Sequence, residues 1–140
     1  MRVMAVDYGD ARTGVAISDP TGLLAGFTTV IQSHKSEFVA QEIAKLVQTH
    51  QVEELIMGFP RNMDGTEGPR AALYREFAAQ LEAVTGLPVT LWDERRTTIE
   101  AHAILHEGGK RMKQHKKNVD AVAAALILEG YLVRKRMQQG

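Results

Sequence analysis

The sequence contains no cysteine, which excludes disulfide bonds, thiolate zinc sites and a cysteine nucleophile. It has no excess of either charge, because 17 basic residues balance 17 acidic ones, so affinity for nucleic acid would require a local basic patch. No apolar run reaches the roughly 20 residues of a membrane-spanning helix, and the first begins too early for a signal peptide. We therefore expect a cytoplasmic protein without membrane association.

Aromatic residues are also scarce, at 6% of the chain, so the composition gives little support for base stacking. The remaining composition is that of an ordinary globular protein, with 44% hydrophobic and 24% charged residues. A chain of 140 residues is the size of one domain and can bury a substantial core. We therefore expect a single domain over residues 1–140.

Five apolar runs have the length of strands, and the segments between them have helical periodicity. The runs cover 3–6, 14–17, 27–31, 55–58 and 89–92. The first predicted helix covers 36–50, with Ser36 as its N-cap, and the second begins at Pro69, with Leu73 and Phe77 on its buried face. A third helix is predicted over 97–107. The last helix begins at 118, and its tail is expected to fray from 134. Strand–helix–strand units form parallel pairs, whereas the first three strands form an antiparallel meander. The prediction is an α/β fold, a mixed five-stranded sheet with helices packed on it.

Asp7 ends the first of these strands. Neither this run nor the next alternates cleanly with polar residues, so both faces of the two strands should be covered. A carboxylate at the end of a buried strand is costly to desolvate unless it is paired, hydrogen-bonded or bound to a cation. Gly9 leaves room for a ligand to approach, although an Asp beside a Gly is also typical of a simple turn.

Other acids fall at the ends of later elements. Asp93 and Glu94 end the last strand, and Asp120 opens the last helix. If the first and last strands are parallel and adjacent, these acids and Asp7 meet in the crevice where open α/β sheets bind ligands. Oxygen donors without cysteine or a histidine pair favour Mg²⁺ or Mn²⁺, and two such ions about 3.5–4 Å apart can hydrolyse a phosphodiester.

Each acid also has a structural explanation. Asp120 would be favoured by the dipole of its helix, and Asp93 and Glu94 could pair with Arg95 or Arg96 on the surface. A basic segment follows, and it is either a solvated loop or a set of phosphate contacts that offsets the acids' repulsion of a polyanion. Its members are Lys110, Arg111, Lys113, Lys116 and Lys117.

Four motifs are specific in combination. They are Val6-Asp7-Tyr8-Gly9 with Arg12, Gly14, Ala16 and Ser18-Asp19; Gly58-Phe59-Pro60 with Asn62-Met63-Asp64-Gly65-Thr66 and Gly68-Pro69-Arg70; Asp93-Glu94-Arg95 with Thr97-Thr98 and Glu100-Ala101; and Asp120-Ala121 with Ala123-Ala124-Ala125 and Ile127-Leu128. Together they span nearly the whole chain. The combination resembles the YqgF/RuvX family of bacterial pre-16S rRNA nucleases, also called Holliday junction resolvases.

The resemblance implies a ribonuclease H-like fold and metal-dependent nuclease chemistry. Carried over, the catalytic metal ligands are Asp7, Glu94 and Asp120, with Asp93 as the alternative to Glu94 because neighbours on a strand face opposite ways. Arg12, the central loop and the third motif would lie near the substrate backbone. The nucleic-acid-binding residues expected there are Arg12, Arg61, Asn62 and Arg95, together with the basic segment.

The function most consistent with this resemblance is an endonuclease that matures the 5′ end of pre-16S rRNA in ribosome biogenesis. The alternative substrate is branched DNA, and a Holliday junction resolvase would need a homodimer with two active sites rather than a monomer. A catalytically silent nucleic-acid-binding module is a further alternative. An actin-like ATP binder is disfavoured, because 140 residues cannot supply the second lobe that closes over a nucleotide.

Overall fold

A computed structural model describes residues 2–19, 25–59, 68–93 and 119–139. Within these ranges, strands and helices follow the predicted order. The strands are β1 Arg2–Asp7, β2 Arg12–Ser18, β3 Ala25–Gln32, β4 Val52–Phe59 and β5 Val89–Asp93, and the helices are α1 Ser36–His50, α2 Ala71–Thr85 and α3 Val119–Gln139. The helix predicted over 97–107 lies outside the described residues. Among the described helices, none is long and apolar enough to cross a membrane.

The strands form one mixed sheet with the order β3-β2-β1-β4-β5. β1 pairs antiparallel with β2 and parallel with β4, and β4 pairs parallel with β5. The predicted meander and parallel pairs are therefore confirmed. The assumption that the first and last strands are adjacent is wrong, because β4 lies between β1 and β5 and separates them by roughly 10 Å, or two strand spacings.

Alternate residues of β1 enter two different cores. Met4 and Val6 pack on one face of the sheet among buried residues of α1 and α2, and we call this the α1/α2 face. Val3 and Ala5 pack on the opposite face against α3, which we call the α3 face. All four side chains are at most 1% exposed, so the prediction that both faces of β1 are covered is confirmed.

The helix boundaries and buried faces differ in detail from the sequence prediction. Ser36 is the first residue of α1 rather than its N-cap, and α2 begins at Ala71 rather than Pro69. Leu73 is 54% exposed and Tyr74 is buried in its place, whereas Phe77 is buried as predicted. α3 is helical to Gln139, so the tail for which fraying is predicted continues the helix.

The turn between β1 and β2 requires a glycine. A Cβ built on Gly9 would lie 2.4 Å from the backbone carbonyl oxygen of Arg12, closer than real contacts allow. The tight turn thus brings Arg12, at the start of β2, back beside the end of β1. Gly130 in α3 is a useful contrast, because a Cβ there would meet only the Trp92 ring, at an ordinary 3.6 Å.

We predict opposite effects of alanine at these two glycines. Gly9→Ala should lower the free energy of unfolding by about 1–3 kcal/mol, because the backbone of the turn has to move. Gly130→Ala, which only adds a methyl group to an exposed helical position, should leave stability unchanged or raise it by up to about 1 kcal/mol. Urea unfolding of both variants measures the difference, and equal effects would contradict the steric explanation.

Candidate active site

Asp7 lies at the C-terminal end of β1, half-buried. By the alternation of the strand it shares the α3 face with Val3 and Ala5. Its partner on β2 is Gly14. On β4, Val6 pairs with Met57, so the next level places Gly58 beside Asp7. Because both neighbouring strands carry a glycine at this level, neither contributes a side chain beside the Asp7 carboxylate.

Position 120 is the second residue of α3. It precedes Ala124 by four residues and Ile127 by seven, and both are fully buried against the α3 face. Positions with these spacings share one helix face, so position 120 is on the sheet-facing side of α3. The far half of α3 contacts β4 and β5, because Tyr131 and Lys135 bond to Glu54 and the Trp92 ring packs edge-on against Tyr131.

The convergence of Asp120 with Asp7 stays a prediction. It requires the first turn of α3 to lie at the C-terminal end of β1.

The third acid position is less defined. Asp93 is the last residue of β5 and pairs with Phe59, at the same end of the sheet as Asp7. Glu94 lies outside the described residues. Within the ranges that the structure describes, no three acidic, histidine or cysteine side chains are grouped to hold a metal ion. The choice between Asp93 and Glu94 therefore remains a prediction.

Of the predicted nucleic-acid-binding residues, Arg12 is described. It is exposed at the start of β2, at the end of the sheet where Asp7 lies. The others lie outside the described ranges, and their roles stay predictions. They are Arg61, Asn62, Arg95, Lys110, Arg111, Lys113, Lys116 and Lys117.

An aromatic cluster that the sequence analysis did not identify supports the end of β1. The Tyr8 ring stacks on Phe77 of α2 with centroids 3.9 Å apart and planes at 10°. Tyr74 packs edge-on against Tyr8 at 5.5 Å, and its hydroxyl donates a 2.6 Å hydrogen bond to the Tyr8 carbonyl oxygen. Burial, and secondarily the nearby Asp10 carboxylate, raise the pKa of Tyr8. Helix α2 thus fixes the residue that directly follows Asp7.

Two further arginines lie at this end of the sheet. Arg70 donates a 3.0 Å hydrogen bond to Asp10, and its guanidinium lies 5.8 Å from the Tyr74 ring centroid. Arg75 lies 4.7 Å from the ring centroid of Phe59, the last residue of β4. Exposed ion pairs contribute little to stability, so the contact with Asp10 does not prevent Arg70 from binding another anion.

The sequence matches the RuvX family, described as Holliday junction resolvase, over residues 1–134. This chain belongs to the RuvX family. A candidate pre-16S rRNA nuclease from Carboxydothermus hydrogenoformans is 45% identical over 94% of this chain and 96% of its own. One from Listeria monocytogenes is 43% identical, covering 94% of this chain and 97% of its own.

Solved structures of low sequence identity share the fold. RuvC of Thermus thermophilus, solved with a Holliday junction substrate, aligns with a TM-score of 0.59 at 14% identity and covers 96% of both chains. The Fowlpox virus resolvase, solved with Holliday junction DNA, aligns with a TM-score of 0.62 at 11% identity and covers 96% of this chain and 98% of its own. The predicted ribonuclease H-like α/β architecture is therefore confirmed.

In this RuvX-family chain, a polar cluster ties the far half of α3 to the sheet. Glu54 accepts hydrogen bonds from the Tyr131 hydroxyl and from the Lys135 ammonium group. Burial acts to raise the pKa of Glu54, but the hydrogen bonds from Lys135 and Tyr131 outweigh it and lower that pKa. Burial, followed by the bond to Glu54, raises the pKa of Tyr131 to about 12, so its hydroxyl remains a donor at neutral pH.

We predict that this cluster makes stability sensitive to acid. Because the folded-state pKa of Glu54 is lowered, its stabilisation is present above the ordinary glutamate value of 4.5 and is lost as pH falls through the folded-state value. Glu54→Gln should therefore destabilise the protein near pH 7 and much less at low pH. Melting temperatures measured from about pH 3 to about pH 7, a range that spans the titration of carboxylates, test this pH dependence.

Glu53→Gln is the matched control, since Glu53 is the exposed neighbour on the same strand. Its difference from wild type should be small at every pH. If Glu54→Gln and wild type lose stability in parallel as the pH falls, Glu54 does not carry the acid sensitivity.

Proposed function

We propose that this protein is a metal-dependent endonuclease that hydrolyses phosphodiester bonds in structured nucleic acid, with the 5′ end of pre-16S rRNA as its substrate. The observation that carries the proposal is the half-buried Asp7 at the C-terminal end of the parallel strand β1, on the face of the sheet against which α3 packs. Open α/β sheets bind their ligands at this end. The relatives named as candidate pre-16S rRNA nucleases support the choice of substrate, because they match almost the full chain at more than 40% identity.

The chemistry of the proposed ligands suits a hard divalent cation. Asp7 contributes carboxylate oxygens, and Gly14 and Gly58 leave the adjoining level of the sheet without side chains. Asp7, Asp120 and Glu94 would hold Mg²⁺ or Mn²⁺, which prefer oxygen ligands. Two such ions supply an activated water and stabilise the leaving oxygen in an in-line displacement. The protein's part is to hold the carboxylates at fixed spacing and to position the substrate strand.

Strand alternation supports Glu94 over Asp93 as the third ligand. Trp92 packs with the core of the α3 face, which is also the face of Asp7. Successive residues of a strand alternate, so position 93 falls on the opposite face from Trp92, which favours Glu94 as the ligand. Glu94→Gln should accordingly impair cleavage more than Asp93→Asn.

Binding of the phosphate backbone would come from basic residues around the same end of the sheet. Arg12 and Arg70 are exposed there on opposite sides of the turn after β1. The basic segment from Lys110 to Lys117 would add contacts that act on any sequence. The net charge of the chain is zero, so these local groups would have to supply the attraction.

The second candidate substrate is a four-way DNA junction. The description of the RuvX family favours it, whereas the two resolvases solved with junction DNA, at 14% and 11% identity, show the fold alone. A junction resolvase has to cut two strands symmetrically, which requires a two-fold dimer. The mass of the protein in solution with junction DNA therefore separates the candidates as well as cleavage does.

We predict that the wild type cuts an RNA fragment spanning the 5′ end of the pre-16S rRNA, with Mg²⁺ or Mn²⁺, faster than it cuts a four-way DNA junction. Asp7→Asn should reduce cleavage by at least about two orders of magnitude, since about 2.7 kcal/mol of transition-state stabilisation corresponds to that factor. Cleavage measured on both substrates in parallel tests this. Preferential, paired cuts in the junction would establish the alternative, and binding without cleavage of either would indicate a silent module.

We predict a second, activity-independent signature of the metal site. Carboxylates roughly 5 Å apart repel by on the order of 3 kcal/mol at an effective dielectric constant of about 20. Asp7→Asn should therefore leave the metal-free protein at least as stable, while Mg²⁺ or Mn²⁺ raises the melting temperature of the wild type much more than that of the variant. Asp19→Asn, just beyond the opposite end of β2, should respond to metal like the wild type. A destabilised Asp7→Asn variant and a metal-insensitive wild type would show that Asp7 is structural.

A further inference from the structure

A pocket lies directly beside the candidate active site, on the other face of the sheet. It encloses about 110 Å³ between the turn after β1, the start of α1 and the first half of α2. Asp7 faces α3, whereas Tyr8, the next residue, lines this pocket on the α1/α2 side. A nucleic acid strand that crosses the end of the sheet at Asp7 would therefore reach the pocket within one or two nucleotides.

The wall of the pocket is aromatic and already ordered. Tyr8 is held by its 3.9 Å stack on Phe77 and by the edge contact with Tyr74, and both partners are at most 6% exposed. Leu73 extends the apolar wall to the surface, where it is 54% exposed. A planar group that enters would contact rigid aromatic and aliphatic surface without first having to order it.

The polar residues that line the pocket favour a nucleobase over a phosphate as its ligand. Asp10 and Glu76 bring two carboxylates to the pocket, and Arg70 brings one guanidinium that already contacts Asp10. The charge of these three groups is −1, which disfavours a phosphate inside the pocket. Carboxylates instead accept hydrogen bonds from exocyclic amino groups, as they do from N4 of cytosine. Gln80 adds an amide that can both donate and accept.

We propose that this pocket binds a nucleobase of the substrate strand, unstacked from its neighbours, next to the bond that is cut. The position of the strand rests on the proposed nuclease function, whereas the preference for a base rests on the pocket alone. Base–aromatic contacts contribute to binding of single strands irrespective of cleavage. The pocket would thus fix the register of the strand by holding a base, while the arginines around it contact phosphates.

The tyrosines of the chain provide the test. There are three: Tyr8 and Tyr74 line the pocket, and Tyr131 is bonded to Glu54 on the other face of the sheet. With ring-¹³C-labelled tyrosine, metal-free protein should show shifted Tyr8 and Tyr74 signals on addition of penta-cytidylate, with Tyr131 unmoved. An abasic pentamer with the same phosphates should bind about tenfold more weakly. Equal response to the abasic chain, movement of all three signals together, or no movement would overturn the proposal.

A filled pocket is the complementary test. Leu73→Trp places a large side chain at the pocket mouth, and it should abolish the Tyr8 and Tyr74 shifts. Val133→Trp is the matched control, since Val133 is similarly exposed at 46% and lies on α3. Retention of the shifts in Leu73→Trp would overturn the proposal. Failure of cleavage with intact tyrosine shifts would count against the nuclease function and leave the base site standing.

Discussion

The fold depends on a strand that is buried on both faces and ends in a carboxylate. Val3 and Ala5 pack against α3, and Met4 and Val6 pack against α1 and α2, so β1 joins the two cores. A charged Asp7 could not continue this burial without a large desolvation penalty. β1 ends at that residue, and both neighbouring strands carry a glycine at its level. These glycines place no side chain beside the carboxylate, which suits the proposed cation site.

The sequence was sufficient to predict the helices and strands that have a strong pattern of apolar residues. The order of strands and helices, the mixed sheet and the double burial of β1 were predicted from apolar runs and short turns, because local periodicity determines them. The assumed contact between β1 and β5 failed for a physical reason. β4 and β5 each follow a helical crossover into one parallel set, and nothing local in their sequences indicates that β4 lies between β1 and β5.

Leu73 was the instructive error in α2. It was assigned to the core, and Tyr74 was not. In the structure the Tyr74 ring is buried and its hydroxyl donates to the Tyr8 carbonyl oxygen, so the polar atom is satisfied inside. A tyrosine can therefore outcompete a leucine for the core when a backbone acceptor lies within reach. The support of the candidate site by α2, and the pocket beside Tyr8, follow from this contact and have no signature in composition.

Electrostatics links the two sides of the sheet end. The acids predicted to converge on the α3 face repel a polyanion, and a chain with no net charge has no general field to overcome that repulsion. Arg12 falls on the face of Asp7 by the alternation of β2, and Arg70 and Arg75 lie at this end on the α1/α2 side. A strand held by them would bring its phosphates toward the acids only when cations offset the carboxylate charge. Metal and nucleic acid should consequently bind with positive coupling, and by reciprocity the substrate would raise the affinity for metal as much as metal raises the affinity for substrate.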